Sequence, residues 1–299
     1  MGDKVLKIGT VHQCNCCLGS KTLHPLVSVI DLSKADLSPH MDIKFGFYTI
    51  LLSECKCEAY AYGHQCCDFS DGTLVCLTPG ESISMKENNK EFPSKGWILA
   101  FHPDLICGTP LGLNIHNYTF FSYCPEEALH LSLREKQIIL EFLERIRQEL
   151  ERCIDRHSKK IISKYIELLL DYCTRFYERQ FITRSEVNKK VFREFNHLLD
   201  NHFNVKVSLS TDVLSDEYCA NLLHLSPAYF NDLLKYEIGK EFKEYIQFKR
   251  FEIAKGWLVN TDKTLGQIAQ ELGFSNSQYF SRLFKKITGC SPNEFRMPN

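Results

Sequence analysis

The chain has 299 residues, of which 44% are hydrophobic and 24% are charged, and its formal net charge is −1. This length and composition predict a globular protein with enough chain for two domains. No run approaches the roughly 20 apolar residues that a membrane-spanning helix needs, and the near-neutral charge gives only weak support for a nucleic-acid partner.

The first residues lack the charged start, apolar block and small-residue cleavage site of a signal peptide, so we expect a cytoplasmic protein. Position 6 is Leu6 rather than Ser or Thr, which does not fit a myristoylation signal. The chain holds 14 cysteines. Because disulfides persist mainly in exported proteins, we predict free thiols.

Up to about residue 125, short β-branched or aromatic runs alternate with glycine and proline, a pattern that predicts strands of a β-sandwich or barrel. The predicted strands are residues 27–30, 45–52, 74–77, 97–101 and 118–121.

The apolar period then changes to that of helices. Ser132 and Glu135 form a capping box at the start of the first predicted helix, and residues 158–178 make a second amphipathic helix. These two helices could pack on the sheet, on a partner subunit, or on both. The polar residues 179–188 are predicted to be a linker, and everything beyond them is predicted to be helical.

The last eighty residues contain one pattern twice, fifty residues apart. An aromatic pair is followed by a glycine ten residues after its first member and by another aromatic residue after sixteen. The first copy holds Tyr229, Phe230, Gly239 and Tyr245, and the second holds Tyr279, Phe280, Gly289 and Phe295.

Each copy has the features of a helix-turn-helix. Ala220 and Ala269 are small residues where a second helix would cross the first closely, and the turns are predicted at residues 224–226 and 273–275. Gly273 can adopt the left-handed backbone that ends a helix. We expect Ser226 and Ser275 to cap the second helices.

The stretch from Ile268 to Arg296 resembles the signature of the AraC family of bacterial transcription regulators. Its matching residues are Ile268, Ala269, Gly273, Phe274, Ser275, Tyr279, Phe280, Ser281, Arg282, Phe284, Lys285, Lys286, Gly289, Ser291, Pro292, Phe295 and Arg296. The resemblance implies two helix-turn-helix units joined by one long helix, residues 242–259. Their recognition helices would enter successive major-groove segments about 34 Å apart.

Carried over by position, the resemblance implies two sets of DNA-binding residues. In the second unit these are Ser277, Gln278, Ser281 and Arg282, with Lys285 and Lys286 placed to meet phosphates. In the first unit they are Ala228, Asn231, Asp232 and Lys235.

The two sets differ in charge. Gln can pair with adenine and Arg with guanine, whereas a carboxylate such as Asp232 is repelled by phosphates. Residues 240–299 contain ten Lys and Arg against six Asp and Glu, a modest basic excess. We therefore expect the second unit to be the main DNA anchor.

For the whole chain the resemblance implies an α+β protein with a cupin-like N-terminal β-barrel, two dimerisation helices and an all-α double helix-turn-helix domain. The predicted domains are residues 1–180, for ligand sensing and dimerisation, and residues 187–299, for DNA binding. Expected partners are double-stranded DNA, a small-molecule effector, a second copy of the chain and, for an activator, RNA polymerase. No cofactor is predicted.

Two alternatives stay open. A cupin-type metal enzyme needs two or three His and a carboxylate on neighbouring strands, but His64 stands alone and no His-x-His pair occurs, so we do not expect an enzyme. A metal-responsive or thiol-redox regulator would use the clustered cysteines. These are Cys14, Cys16, Cys17, Cys55, Cys57, Cys66 and Cys67.

Overall fold

The structure is a computed structural model, and it describes residues 5–35, 42–54, 63–83, 95–204 and 214–297. The chain divides into two compact units. Unit 1 comprises Met1–Asn188 together with His224–Phe230, and unit 2 comprises Lys189–Leu223 and Asn231–Asn299. The short segment His224–Phe230 therefore belongs to unit 1 although it lies late in the sequence.

The described strands all lie in unit 1. They are β1 (Val5–Ile8), β2 (Val27–Asp31), β3 (Asp42–Phe45), β4 (Tyr48–Ser53), β5 (Gly72–Leu77), β6 (Ser82–Ile83), β7 (Gly96–Phe101) and β8 (Leu129–Leu131). Five of them form an antiparallel sheet in the order β2-β7-β4-β5-β8, and the other three form a second sheet in the order β1-β3-β6. β1 runs parallel to β3.

The predicted strand 45–52 is two strands rather than one, because the chain changes sheet at Gly46. The amide of Gly46 donates to the Ile8 carbonyl at 2.8 Å, and a Cβ added there would lie 3.0 Å from the Gly9 carbonyl oxygen. β3 pairs in the small sheet and β4 in the large one. The mixed fold class is confirmed, but no ladder between described strands joins the two sheets, and the predicted cupin-like barrel is not confirmed.

The prediction of a strand at residues 118–121 is wrong. The chain there forms 3-10 turns, Ile115–Asn117 and Thr119–Ser122. Phe120 and Phe121 are buried, and the Phe120 ring stacks on Tyr177 at 5.3 Å. The aromatic residues of this run indicated that the segment is buried, but they did not indicate an extended backbone.

The described helices are more numerous than predicted in the first half of the chain. They are α1 (Val11–Cys17), α2 (Pro103–Ile106), α3 (Pro110–Asn114), α4 (Leu133–Leu150), α5 (Ser158–Thr183), α6 (Ser185–Asn204), α7 (Asp216–Leu222), α8 (Pro227–Ile238), α9 (Phe242–Asn260), α10 (Leu265–Glu271), α11 (Ser277–Thr288) and α12 (Pro292–Arg296). The capping box at Ser132 and Glu135 is present at the start of α4. α4 packs on α5, where the Phe142 and Tyr172 rings lie 5.4 Å apart.

Residues 179–188, the predicted linker, are helical on both sides of a turn at Arg184, and four of them are buried. The Gln180 side chain accepts from the His130 amide at 2.7 Å and donates to the Ala128 carbonyl at 3.0 Å, which joins α5 to β8. Arg184 forms a two-point ion pair with Asp68. These polar side chains thus find their hydrogen-bond partners elsewhere in unit 1, so their polarity did not mark a solvent-exposed segment.

Unit 2 is helical in its described residues. A cluster of buried apolar side chains joins the long helix α9 to α10 and α11, and its members are Phe251, Ala254, Leu258, Ile268, Ala269, Leu272, Phe280 and Phe284. The predicted long helix, residues 242–259, is confirmed as α9. None of the described helices is long and apolar enough to cross a membrane.

Candidate DNA-binding surface

The second helix-turn-helix is formed by α10 and α11. The Thr264 side chain and Gln267 make a capping box that starts α10, and Ala269 is 1% exposed within it. Gly273 has φ +73°, the left-handed conformation that turns the chain after α10. The small residue and the glycine thus stand where the sequence predicted them.

Asn276, not Ser275, caps α11, so that part of the prediction is wrong. The Asn276 side chain accepts from the Tyr279 amide at 2.7 Å, and Ser275 is exposed in the turn. Because the two copies are fifty residues apart, Asn276 is the equivalent of Ser226. The cap residue differs between copies, while its position is the same.

One face of α11 is buried and the other is open. Phe280 and Phe284 are fully buried against Phe251, with ring distances of 6.3 and 6.1 Å. The opposite face exposes residues three to four positions apart, which lie side by side on a helix. Those exposed residues are Gln278, Arg282, Lys285 and Lys286, while Ser277 and Ser281 are half-buried beside them.

Arg282 forms no hydrogen bond or ion pair among the described residues, and its guanidinium lies 5.6 Å from the centre of the Tyr279 ring. Contact with an aromatic ring orients the side chain while leaving its donors free. This face of α11 therefore presents one amide, one guanidinium and two ammonium groups to an external partner.

The first helix-turn-helix is formed by α7 and α8. Ala220 is fully buried in α7, and His224 makes the turn with φ +56° where the second copy has a glycine. The Ser226 hydroxyl accepts from the Tyr229 amide at 3.2 Å, so Ser226 caps α8 as predicted.

The predicted DNA-facing residues of the first helix-turn-helix are less exposed than those of the second helix-turn-helix. The Asn231 amide donates to the Asp216 carboxylate at 2.9 Å, which ties α8 to the start of α7. Ala228 and Asp232 are half-buried, and Lys235 is exposed. The first helix-turn-helix therefore presents a single exposed cation at these positions, whereas the second helix-turn-helix presents three.

The cysteines of the described chain do not form a metal centre, since no group of three His, Cys, Asp or Glu there is arranged to hold an ion. Cys14 and Cys17 have Cys-x-x-Cys spacing on α1, but Cys14 is buried, and burial with the neighbouring Cys17 raises its pKa to about 12. Cys16 is exposed, as are Cys66 and Cys67. Cys55 and Cys57 lie outside the described residues.

His64 and His130 approach each other, with ring centres 5.0 Å apart, and His130 Nε2 lies 4.0 Å from the Asp68 carboxylate. No sequence pattern indicated this cluster, because Asp68 and His130 are sixty-two positions apart. Arg184 forms an ion pair with the same carboxylate at 2.6 Å. All four residues belong to unit 1.

Sequence comparison supports a regulator of transcription. A family model described as a helix-turn-helix domain matches residues 219–297. YtdP, an uncharacterised transcriptional regulator of Bacillus subtilis, is 33% identical over 37% of this chain and 14% of its own length. The arabinose operon regulatory protein of Salmonella typhimurium is 32% identical over 34% of this chain and 32% of its own length.

YijO, an uncharacterised transcriptional regulator of Escherichia coli, aligns more extensively. It is 24% identical over 75% of this chain and 76% of its own length. The chain therefore spans well under half of the first two relatives, whereas the match to YijO extends into unit 1. All three are regulators by name, and none is named as an enzyme.

Proposed function

We propose that the chain is a sequence-specific DNA-binding regulator of transcription of the AraC type. Residues 219–297 match a helix-turn-helix family model, and this part of the chain is similar to the arabinose operon regulatory protein. The observation that carries this proposal is the open face of α11. Its exposed Gln278 and Arg282 have the side chains that read adenine and guanine in the major groove. Lys285 and Lys286 follow them on the same face and suit phosphates.

Replacing Arg282 by alanine tests the reading role. We expect a loss of about 1–3 kcal/mol at the cognate site and relaxed base preference at one position, because a bidentate contact to guanine is removed. The cognate site is first obtained by selecting duplexes from a random library with the wild-type chain, and affinity is then measured by fluorescence anisotropy.

Arg193→Ala is the matched control, since it removes the same charge from an exposed helical position on α6. It should leave base preference unchanged and lower affinity only slightly. Equal affinity and selectivity of Arg282→Ala and the wild type would contradict the role given to Arg282. Failure of the wild-type chain to enrich any sequence would contradict sequence-specific binding altogether.

The first helix-turn-helix contributes less to affinity in this proposal. Asn231 is engaged by Asp216, and Asp232 adds a carboxylate near the groove-facing side of α8. Lys235 is the exposed cation of this set. Because phosphate contacts dominate non-specific affinity, Lys235→Ala should weaken binding less than the double change of Lys285 and Lys286.

Two copies of the chain are proposed to associate through α5. Leu168 is 46% exposed, and Ile161 and Tyr165 are half-buried at the four- and three-residue spacing of one helix face. Leu168→Asp should shift the full chain from dimer to monomer in light scattering. The control is Glu167→Asp, at the neighbouring position. A wild-type chain that is monomeric at micromolar concentration would contradict the proposal.

Control by a small ligand bound to unit 1 is the remaining part of the proposal, and an activator of this kind would also contact RNA polymerase. The order of a β-rich unit before a DNA-binding unit supports it. A cleft lined by Trp97, Lys34 and Arg147 among others has a volume of 190 Å³, below the roughly 300–1,000 Å³ of typical ligand pockets.

That cleft suits a small molecule only. Thermal melting of the full chain with a panel of sugars, amino acids and organic acids tests ligand control. A compound that raises the melting temperature and changes DNA affinity supports it. The absence of any shift across the panel would contradict control by these classes.

A further inference from the structure

The start of α8 is buried in a way that its counterpart in the second copy is not. Tyr229 is 5% exposed, whereas Tyr279, at the equivalent position, is 41% exposed. Ser226 is 4% exposed, whereas its equivalent Asn276 is exposed. Since the same motif folds with an exposed tyrosine in one copy, the helix-turn-helix itself does not require this burial. Additional contacts in unit 1 are its cause.

The first of these contacts is a buried carboxylate. Glu127 is 4% exposed, and its two oxygens accept from the Ser226 amide at 2.6 Å and from the Ser226 hydroxyl at 2.5 Å. One oxygen also accepts from the Cys124 amide at 2.8 Å, which fixes the carboxylate on its own 3-10 turn. Burial raises the pKa of Glu127, and the bonds from Ser226 oppose that rise. Hydrogen bonds to a charged acceptor are about twice as strong as neutral ones.

The second contact surrounds Tyr229. Its ring lies 5.1 Å from the Tyr123 ring and 5.3 Å from the Phe181 ring. The charge of the nearby Arg184 guanidinium opposes the rise that burial gives to the pKa of Tyr229. Arg184 in turn is held by Asp68 at 2.6 Å. Tyr229 is thus fixed by two aromatic contacts and lies near a guanidinium that cannot itself move freely.

These contacts, which we call the clasp, consist of Glu127 with Ser226 and of Tyr123, Phe181 and Arg184 with Tyr229. In a helix-turn-helix the N-terminal residues of the recognition helix reach the base edges. In α8 that end is the part held inside unit 1, and the predicted DNA-facing residue Ala228 lies between the two clasped residues.

We propose that the clasp is an autoinhibitory contact: it keeps the first helix-turn-helix from entering the major groove until the segment His224–Phe230 leaves unit 1. This inference rests on the proposed DNA-binding function. The second helix-turn-helix contains none of the clasp residues, so in this proposal it binds while the clasp is closed, and opening the clasp adds the phosphate contacts of the first.

Glu127→Gln in the full chain tests the inference, because it removes the charge that both Ser226 donors share. The probe is a random-sequence duplex of about 40 base pairs, long enough for two groove segments about 34 Å apart. We expect about tenfold tighter binding, the factor that loss of one charge-assisted bond gives in an opening equilibrium. The salt dependence of binding should also become steeper, since more counterions are released.

Glu126→Gln is the matched control, because Glu126 is the exposed neighbour of Glu127 and carries the same charge. It should reproduce the wild-type salt slope. Ser226→Ala is a second variant, which removes the hydroxyl bond to Glu127 and also the N-cap of α8. It should move affinity and slope in the same direction as Glu127→Gln, with a smaller gain because the lost N-cap also destabilises α8. Hydrogen exchange should be faster at the Ser226 amide in both variants, since that amide donates to Glu127.

Unchanged or weaker DNA binding by both variants, with thermal unfolding like that of the wild type, would overturn the clasp. If Glu127→Gln fails to fold, Ser226→Ala alone decides between these outcomes. The proposed function fails separately, if the wild-type chain binds no duplex at low salt. Wild-type binding that neither variant strengthens removes the autoinhibitory role and leaves the DNA-binding proposal intact.

Discussion

Asp68→Asn should destabilise unit 1 by about 3 kcal/mol. The Asp68 carboxylate is fully buried and meets the 6% exposed Arg184 in a two-point ion pair, with Nε to Oδ1 at 2.9 Å and the terminal nitrogen to Oδ2 at 2.6 Å. Removing one partner of a buried pair costs about 3–5 kcal/mol, because the other charge is left uncompensated. Arg184 keeps its bond to the Gly63 carbonyl at 3.2 Å, and an asparagine oxygen can still accept, so we expect the lower end of that range.

The pH dependence gives a second check on the same pair. Burial alone would raise the pKa of Asp68, but the hydrogen bonds and charge of Arg184 outweigh burial and hold that pKa below its ordinary value of 3.8. The folded state therefore binds this proton less readily than the unfolded chain does. The stabilisation that the ionised Asp68 provides is fully present when the pH is above the ordinary pKa, and it is lost as the pH falls through the lowered pKa. The difference between wild type and Asp68→Asn should shrink in acid.

The two tryptophans make the measurement selective. Trp97 lies on β7 in unit 1 and Trp257 on α9 in unit 2. In a Trp257→Phe background, urea unfolding followed by fluorescence reports on unit 1. Asp104→Asn is the control, because its side chain is 74% exposed, and it should change stability by less than about 0.5 kcal/mol. A midpoint for Asp68→Asn equal to that of the control would refute the reasoning.

Three further changes have defined outcomes. Phe280→Ala should lower the free energy of unfolding of unit 2 by about 3–5 kcal/mol, because a fully buried ring is lost from its core. Urea unfolding followed by Trp257 fluorescence measures this loss. A loss below about 1 kcal/mol would contradict the packing. Gly96→Ala should destabilise unit 1, since φ is +145° and the new Cβ would lie 2.0 Å from a backbone oxygen of β4; an unchanged thermal midpoint would count against that geometry. The double change of Lys285 and Lys286 to alanine should lower the salt slope of DNA binding by about 1.8, which anisotropy at several salt concentrations records; an unchanged slope would place both lysines away from phosphates.

The helix-turn-helix half was predictable because its information is local and repeated. Two copies at fixed spacing located the turns, and Ala269 and Gly273 act in the structure through their own small size and backbone freedom. The error at the cap, Ser275 in place of Asn276, arose because both residues can cap a helix and they are adjacent. The exposed residues Gln278 and Arg282 of α11 were predicted by position from the family resemblance.

The first half was less predictable because its decisive contacts join distant residues. Arg184 looked like part of a polar linker, and only the approach of Asp68, one hundred and sixteen positions away, makes it a core residue. Hydrophobicity likewise located the aromatic run at residues 118–121 in the core without specifying its backbone. The change of sheet at Gly46 depends on the close approach of Gly9, and no sequence pattern in either segment indicates that contact.

The two turns of the DNA-binding repeat are built on different residues, His224 with φ +56° and Gly273 with φ +73°. Glycine loses more chain entropy on folding than any other residue, and an entropic cost grows in proportion to temperature. The left-handed conformation of histidine instead carries a steric energy that is nearly independent of temperature. Warming therefore raises the conformational free energy of the second turn more than that of the first. The relative stability of the two helix-turn-helix turns should thus change with temperature.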